Sequence, residues 1–212
     1  MTITIFGATG QVGKRAVLQA LANGHTVRAF GRNVDNLIDK DLRTEKFEAI
    51  KGHVFDEQDV LEAVTGSEAI ISTLGGAFDG SDKTRSLGIK NIIAQMHKAG
   101  VKRIVALGGL GVLSAADGTY LIDAPSYSPA YKPVGLEHLM AYLYLKGSDL
   151  DWTFVCSPNI LDADRTDHYI VNADYPPTPN KGEVAAGDIA DFMLNEINVN
   201  KFLHHRVGIS KS

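Results

Sequence analysis

Gly7, Gly10 and Gly13 lie three residues apart in Gly7-Ala8-Thr9-Gly10-Gln11-Val12-Gly13. The apolar run Thr2-Ile3-Thr4-Ile5-Phe6 leads in and an apolar helical pattern leads out. Glycines at this spacing, leaving a strand and opening a helix, can hold a pyrophosphate. The first allows a tight turn, the second a close approach of backbone to phosphate, and the third close packing of helix on sheet. The helix adds unpaired N–H groups and the positive end of its dipole. A plain strand–helix turn with no ligand is the competing reading. It is weakened by the strand at residue 2, the immediate helix and the further strand–helix units downstream.

A second candidate group follows the next strand, His25 to Phe30. Gly31-Arg32-Asn33 stands where an adenosine ribose would sit. NAD sites usually place an acidic residue there to hold the ribose 2′-hydroxyl, but Phe30 and Gly31 are not acidic. Arg32 is a cation suited to a 2′-phosphate, so the expected cofactor is NADP, with NADPH favoured over NADH. The bland alternative for Arg32 is a solvated surface charge. Asp35 falls too late and is expected on the next helix.

Elements that would position these groups alternate along the chain. The first helix carries Val12, Ala16, Val17, Ala20 and Leu21 and stops at Asn23-Gly24. Strands are expected at 47–50, 68–74, 101–107, 151–156 and 206–209. Helices are expected at 59–64, from a cap at Ser81 or Asp82 to Gly100, around Leu136, Leu139, Met140 and Leu143 up to Gly147, and around Ile189, Phe192, Met193 and Ile197. The fourth strand ends in Gly75-Gly76 and the fifth in Gly108, Gly109 and Gly111. Ligands of open parallel sheets bind at carboxyl strand ends, so Gly75 and Gly76 are expected to face the cofactor, with an ordinary turn as the alternative. This alternation predicts a Rossmann-like, doubly wound, mostly parallel α/β sheet in a single domain over 1–212. The stretches 114–133, rich in tyrosine and proline, and 162–183, read as irregular, are expected to cap the site, although a surface excursion fits the first as well.

The 212 residues are 44% hydrophobic and 22% charged, with a net charge of −4, which gives no electrostatic footprint for nucleic acid or an anionic membrane. The single cysteine, Cys156, cannot form an internal disulfide and reads as a buried small hydrophobe. With no basic leader and no long apolar segment in view, a cytoplasmic setting is expected. Asp162, Asp164, Asp167 and His168 match neither an EF-hand nor a zinc spacing, and His204-His205 is equally bland.

With GATGxxG, Gly31-Arg32, the run Leu150-Asp151-Trp152-Thr153 to Pro158-Asn159 and Gly187-Asp188-Ile189-Ala190-Asp191-Phe192-Met193-Leu194, the chain resembles the atypical short-chain dehydrogenases of the NAD(P)H-binding, NmrA-like kind. Within that group it is most similar to flavin reductases and biliverdin-IXβ reductase. The resemblance implies that Gly7, Ala8, Thr9, Gly10, Gln11, Val12 and Gly13 hold the pyrophosphate and that Arg32 meets the 2′-phosphate. It implies that Thr73, Leu74, Gly75 and Gly76 line the ribose. Gly108 and Gly109 would lie beneath the nicotinamide, with Pro158, Asn159 and Ile160 at its carboxamide. The catalytic Tyr-x-x-x-Lys of conventional members falls on Val134 and His138, and the usual serine on Gly109. Carbonyl reduction is therefore not expected. The expected function is instead NADPH-dependent hydride transfer to a free flavin or a similar quinone-like acceptor, since two rings held face to face suffice and water can supply the proton. Alternatives are a non-catalytic NADP(H) sensor of the NmrA type and a sugar-nucleotide epimerase. Tyr131 and His138 are the acid–base candidates near the nicotinamide, His138 because imidazole can titrate near neutrality. Either side chain could instead be a packed or solvated residue without a role. A monomer or small homo-oligomer is expected, with no nucleic-acid or membrane partner.

Overall fold

A computed structural model describes residues 1–35, 37 and 45–212. Chain order is β1 (Thr2–Phe6), α1 (Gln11–Ala22), β2 (Thr26–Gly31), β3 (Phe47–Lys51), α2 (Glu57–Val64), β4 (Ala69–Ser72), α3 (Thr84–Ala99) and β5 (Arg103–Gly109). Then come α4 (Lys132–Lys146), β6 (Asp151–Ser157), β7 (Asn159–Leu161), β8 (Tyr169–Ala173), β9 (Glu183–Ala185), α5 (Ala186–Val199) and β10 (His205–Lys211). The main sheet has eight strands in the order β3-β2-β1-β4-β5-β6-β10-β8. Every pair is parallel except β10 with β8. This is the Rossmann-like doubly wound fold that the alternation predicts. Its strand order reverses between β1 and β4, where such sheets open a crevice at their carboxyl ends.

Alternation within the central strands fills both faces. In β1, Ile3 and Ile5 join the core beneath α1 and α5, while Phe6 joins the core beneath α2, α3 and α4. Thr4 is fully buried on that second face, where its hydroxyl donates to the Ala63 carbonyl at 2.6 Å. Aromatic packing is dense under α4: Tyr142 lies 5.7 Å from both the Trp152 and Phe154 ring centres.

Several local expectations are corrected. Leu136, Met140 and Leu143 on α4 are 46%, 40% and 40% exposed, so the apolar stripe faces outward. The helix instead buries Val134, Gly135, Glu137, Ala141, Tyr142 and Leu145. Small residues win that face because the sequence packs Gly135 against Ile122 and the Tyr127 hydroxyl, where a Cβ would stand 2.7 and 2.9 Å away. Helix α3 starts at Thr84 with Lys83 at the cap, although the Asp82 carboxylate still accepts the Thr84 N–H at 2.7 Å. The stretch 162–183 is not irregular. It contains β8, and its end forms β9, which pairs with β7. Asp35 lies in a turn, and the helix expected beyond it falls on residues outside those described. Among the described residues, no helix is long and apolar enough to cross a membrane.

Candidate functional site

The turn from β1 into α1 has the geometry its glycines demand. Gly7 sits at φ 74°, a conformation that side chains rarely adopt, and a Cβ there would stand 2.6 Å from the Thr73 carbonyl oxygen. A Cβ on Gly13 would overlap the Gly7 carbonyl, so only glycine lets α1 pack this close to the turn. Gly10 is the N-cap of α1 in extended backbone, with no side chain capping the helix. The Gly10 amide closes the turn onto the Gly7 carbonyl at 2.9 Å, and the first helical bond runs from Lys14 N–H to the Gly10 carbonyl at 2.9 Å, which leaves the amides of residues 11–13 without a helical partner. An uncapped, glycine-walled helix start is a fit for the pyrophosphate of a dinucleotide.

From this turn a cleft of about 950 Å³ runs across the carboxyl ends of the strands, the large end of what small-molecule sites offer. Gly7, Thr9, Gly10, Gln11 and Val12 line it, but Ala8 and Gly13 do not. Ala8 is fully buried in the core below the turn, and Gly13 is covered by Gly7 and Thr73. Both residues support the cradle from behind its lining. Thr73 fixes the cradle from the side, its hydroxyl donating to the Phe6 carbonyl at 3.0 Å. Thr73, Leu74, Gly75 and Gly76 line the middle of the cleft, as do Gly108, Gly109, Pro158, Asn159 and Ile160 farther along.

Arg32 stands exposed at one end, with Phe30 and His53 as further lining residues. Phe30 and Gly52 make this end together, since a Cβ on Gly52 would come 2.6 Å from the Phe30 ring. His53 carries no sequence signal, because it follows a short strand and belongs to no motif. Of the two stretches expected to cap the site, 114–133 contributes Tyr127 and Tyr131, whereas 162–183 contributes only Gly182. The latter is held elsewhere. Arg15 on α1 pairs with Asp162 and Asp164, both at 2.8 Å, the buried Asp188 carboxylate accepts the Thr166 and Asp167 amides at 2.7 and 3.1 Å, and β8 extends the far sheet edge.

At the other end Tyr131, just before α4, is 59% exposed, while His138 turns inward. The imidazole packs over Gly109, where a Cβ would stand 2.9 Å from His138 Cδ2. A serine at 109 would require this imidazole to shift. His138 Nδ1 is buried without a partner. Burial, with the Arg85 guanidinium adding to it, pushes the imidazole down to about 3, so it is neutral at physiological pH. This corrects the expectation that His138 titrates near neutrality. A base held neutral in the fold but protonated when unfolded makes folding weaker as pH falls. Between its ordinary value and about 3, His138 should cost up to about 1.4 kcal/mol per pH unit. Urea melts of wild type and His138→Gln at pH 7, 6 and 5 check this. The variant should lose stability more slowly on acidification, and parallel curves would contradict the assignment.

Other groups have settled roles. Cys156 is fully buried, and burial pushes its thiol upward, which suits packing and not nucleophilic attack. Arg165 pairs with Asp167, and also with Asp191 at 2.8 Å.

Known proteins agree with this architecture. A family model described as NAD(P)H-binding matches residues 7–199. An uncharacterised chloroplastic protein of Arabidopsis thaliana is 30% identical over 72% of this chain, which spans 57% of the length of that relative. The uncharacterised protein YwnB of Bacillus subtilis is 26% identical, with 93% of this chain and 92% of that protein covered. Among solved structures, a provisionally named exported protein of Burkholderia pseudomallei shares 30% identity at a TM-score of 0.84, with 99% of each chain covered. A provisionally named NADH-flavin reductase of Streptococcus pneumoniae has the same fold, at 24% identity and a TM-score of 0.83 over all of both chains. A provisionally named epimerase of Bacteroides thetaiotaomicron shares 26% identity at a TM-score of 0.85, with 99% of this chain and 96% of that one covered. With the family model covering nearly its whole length and an uncapped glycine cradle at the sheet's switch point, this chain belongs to the NAD(P)H-binding family, on the Rossmann fold of atypical short-chain dehydrogenases.

Proposed function

We propose that the protein is an NADPH-dependent reductase that passes hydride to a free flavin or a similar flat, electron-poor ring such as a quinone. One observation carries this reading. The positions where a carbonyl reductase needs tyrosine, lysine and serine hold Val134, His138 and Gly109, and the last two are packed together with the imidazole neutral. No group there is built to protonate an alkoxide. A flavin or quinone needs none at the moment of transfer, because its own ring delocalises the incoming electron pair. What it needs is a surface that holds it against the nicotinamide. The cleft of about 950 Å³ is bordered by Phe78, Tyr127 and Tyr131 as aromatic walls.

In this reading the amides at the start of α1 and the 7–13 cradle bind the pyrophosphate, and Arg32 binds the 2′-phosphate. Residues 73–76 hold the ribose, Gly108 and Gly109 admit the nicotinamide ring, and Pro158 to Ile160 contact its carboxamide. Bound NADPH supplies the hydride. Tyr131 and His138 position rings and relay no proton. The lone, buried cysteine fits a reducing, cytoplasmic setting, and neither nucleic acid nor membrane is required. The reductase acts as a monomer or small homo-oligomer.

Purified protein mixed with NADPH and a panel of FMN, riboflavin and quinones, followed by the absorbance of the reduced cofactor, tests the reading. NADPH oxidation with at least one acceptor is expected, and Tyr131→Phe and His138→Ala should each slow it by about tenfold or less. A fall of about a hundredfold or more at saturating NADPH would mean that a protein acid is required. Firm NADPH binding without oxidation by any acceptor would favour a sensor of NADP(H).

A further inference from the structure

Arg85, the second residue of α3, carries a buried charge that no described carboxylate contacts directly. It lines the cleft yet is only 6% exposed. Its Nη1 and Nη2 donate to the Ala77 and Gly76 carbonyls at 3.0 and 2.9 Å, and its Nε is buried with no partner. Among the described residues it forms no ion pair within 4.0 Å. The two carboxylates whose charge reaches it are Asp82 and Glu137, and both are engaged elsewhere. Glu137 accepts from Lys83 Nζ at 2.8 Å and from the Ser86 hydroxyl at 2.6 Å, and Asp82 accepts the Thr84 amide at 2.7 Å. The Phe78 ring centre lies 5.7 Å from the guanidinium carbon and covers it from the mouth of the cleft.

An arginine this far from water, with its nearest carboxylates beyond contact, costs free energy that two neutral carbonyls only partly offset. It sits in the first turn of α3, where the Asp82 carboxylate, also a lining residue of the cleft, takes the Thr84 amide. On the facing helix, His138 presents a neutral ring. This part of the cleft thus places the buried Arg85 cation beside one carboxylate, Asp82, in a lining that also includes Tyr127 and Tyr131.

We infer that Arg85 is the anion site of the acceptor pocket, holding the edge of a planar acceptor on which negative charge gathers as hydride arrives. The inference rests on the reductase reading above and narrows its substrate class. For a flavin, the hydride leaves C4 of the reduced nicotinamide with both bonding electrons and bonds to N5. The nicotinamide becomes the oxidised cation, and the electron pair displaced in the flavin settles on the N1–C2=O edge. That anion faces Arg85 and takes its proton from water afterwards. For a quinone, the same charge settles on the far carbonyl oxygen. A preorganised cation of this kind favours the charge as it develops.

Arg85 also ties down residues 76 and 77, so its test must separate charge recognition from loop support. Anaerobic titration of the NADP⁺-loaded protein with reduced and with oxidised FMN does so, because the phosphate is common to both ligands. Wild type should bind the reduced anion about tenfold or more tightly than the oxidised ring, as expected for one charge-assisted contact. Arg85→Gln should abolish that preference and Arg85→Lys should keep most of it. A wild type without the preference, or an Arg85→Gln variant that weakens both forms equally, would overturn the assignment and leave Arg85 as a loop tether. A wild type that binds neither flavin and oxidises no NADPH would instead overturn the reductase reading.

Discussion

Gly13→Val is expected to abolish binding of NADPH and NADH alike and to destabilise the fold by about 1–3 kcal/mol or more. The added Cβ would overlap the Gly7 carbonyl oxygen and press on the Thr73 hydroxyl, 2.8 Å away. Relief requires α1 to move off the β1 turn, which carries the unpaired amides away from the phosphates. The Thr73 hydroxyl would also lose its bonds to the Phe6 and Gly7 carbonyls, at 3.0 and 3.2 Å. Titration calorimetry with both cofactors, alongside a urea melt, measures the two effects. A variant that binds NADPH within threefold of wild type would show that this cradle is not the phosphate site.

Arg32→Ala should weaken NADPH about tenfold to a hundredfold and leave NADH almost unchanged, the size of one lost charge-assisted bond. Arg32 lies exposed at the rim of the cleft beside Gly31, and among the described residues 30–54 no carboxylate lines the cleft there. Because the contact is exposed and electrostatic, the gap between the two cofactors should narrow as salt rises. Equal affinities of wild type for NADPH and NADH would remove the basis of the proposal, as would an alanine variant that binds NADPH normally.

The cofactor half of the site was legible because each of its requirements is local. A turn that needs φ 74° and a helix start that tolerates no Cβ leave glycines at fixed spacing, whatever the rest of the chain does. Strand ends followed by glycines marked the rim in the same way. The acceptor half was legible only where the resemblance placed Tyr131 and His138, because its residues meet only in the fold. Arg85 comes from the first turn of α3, Tyr127 from a connecting segment and His138 from α4. Nothing in sequence spacing relates them, and an arginine near a helix start reads as a solvated charge.

The outward leucines of α4 show a different limit. Periodicity reports that one helix face is apolar, not that this face is the buried one. Here tight packing selects Gly135 and Ala141 for the inside and leaves Leu136, Met140 and Leu143 outside. Strand β7 escaped notice because its three residues pair with β9, more than twenty positions away. A strand that short carries too little alternation to read.

The most direct test of the central claim is a single anaerobic turnover, in which the protein saturated with NADPH is mixed rapidly with FMN. Flavin bleaching and loss of the reduced nicotinamide absorbance should proceed together, mole for mole, and both should slow when the transferred hydrogen at C4 is deuterium. Calorimetric proof that NADPH is bound, with neither absorbance changing faster than in a protein-free control, would contradict the account.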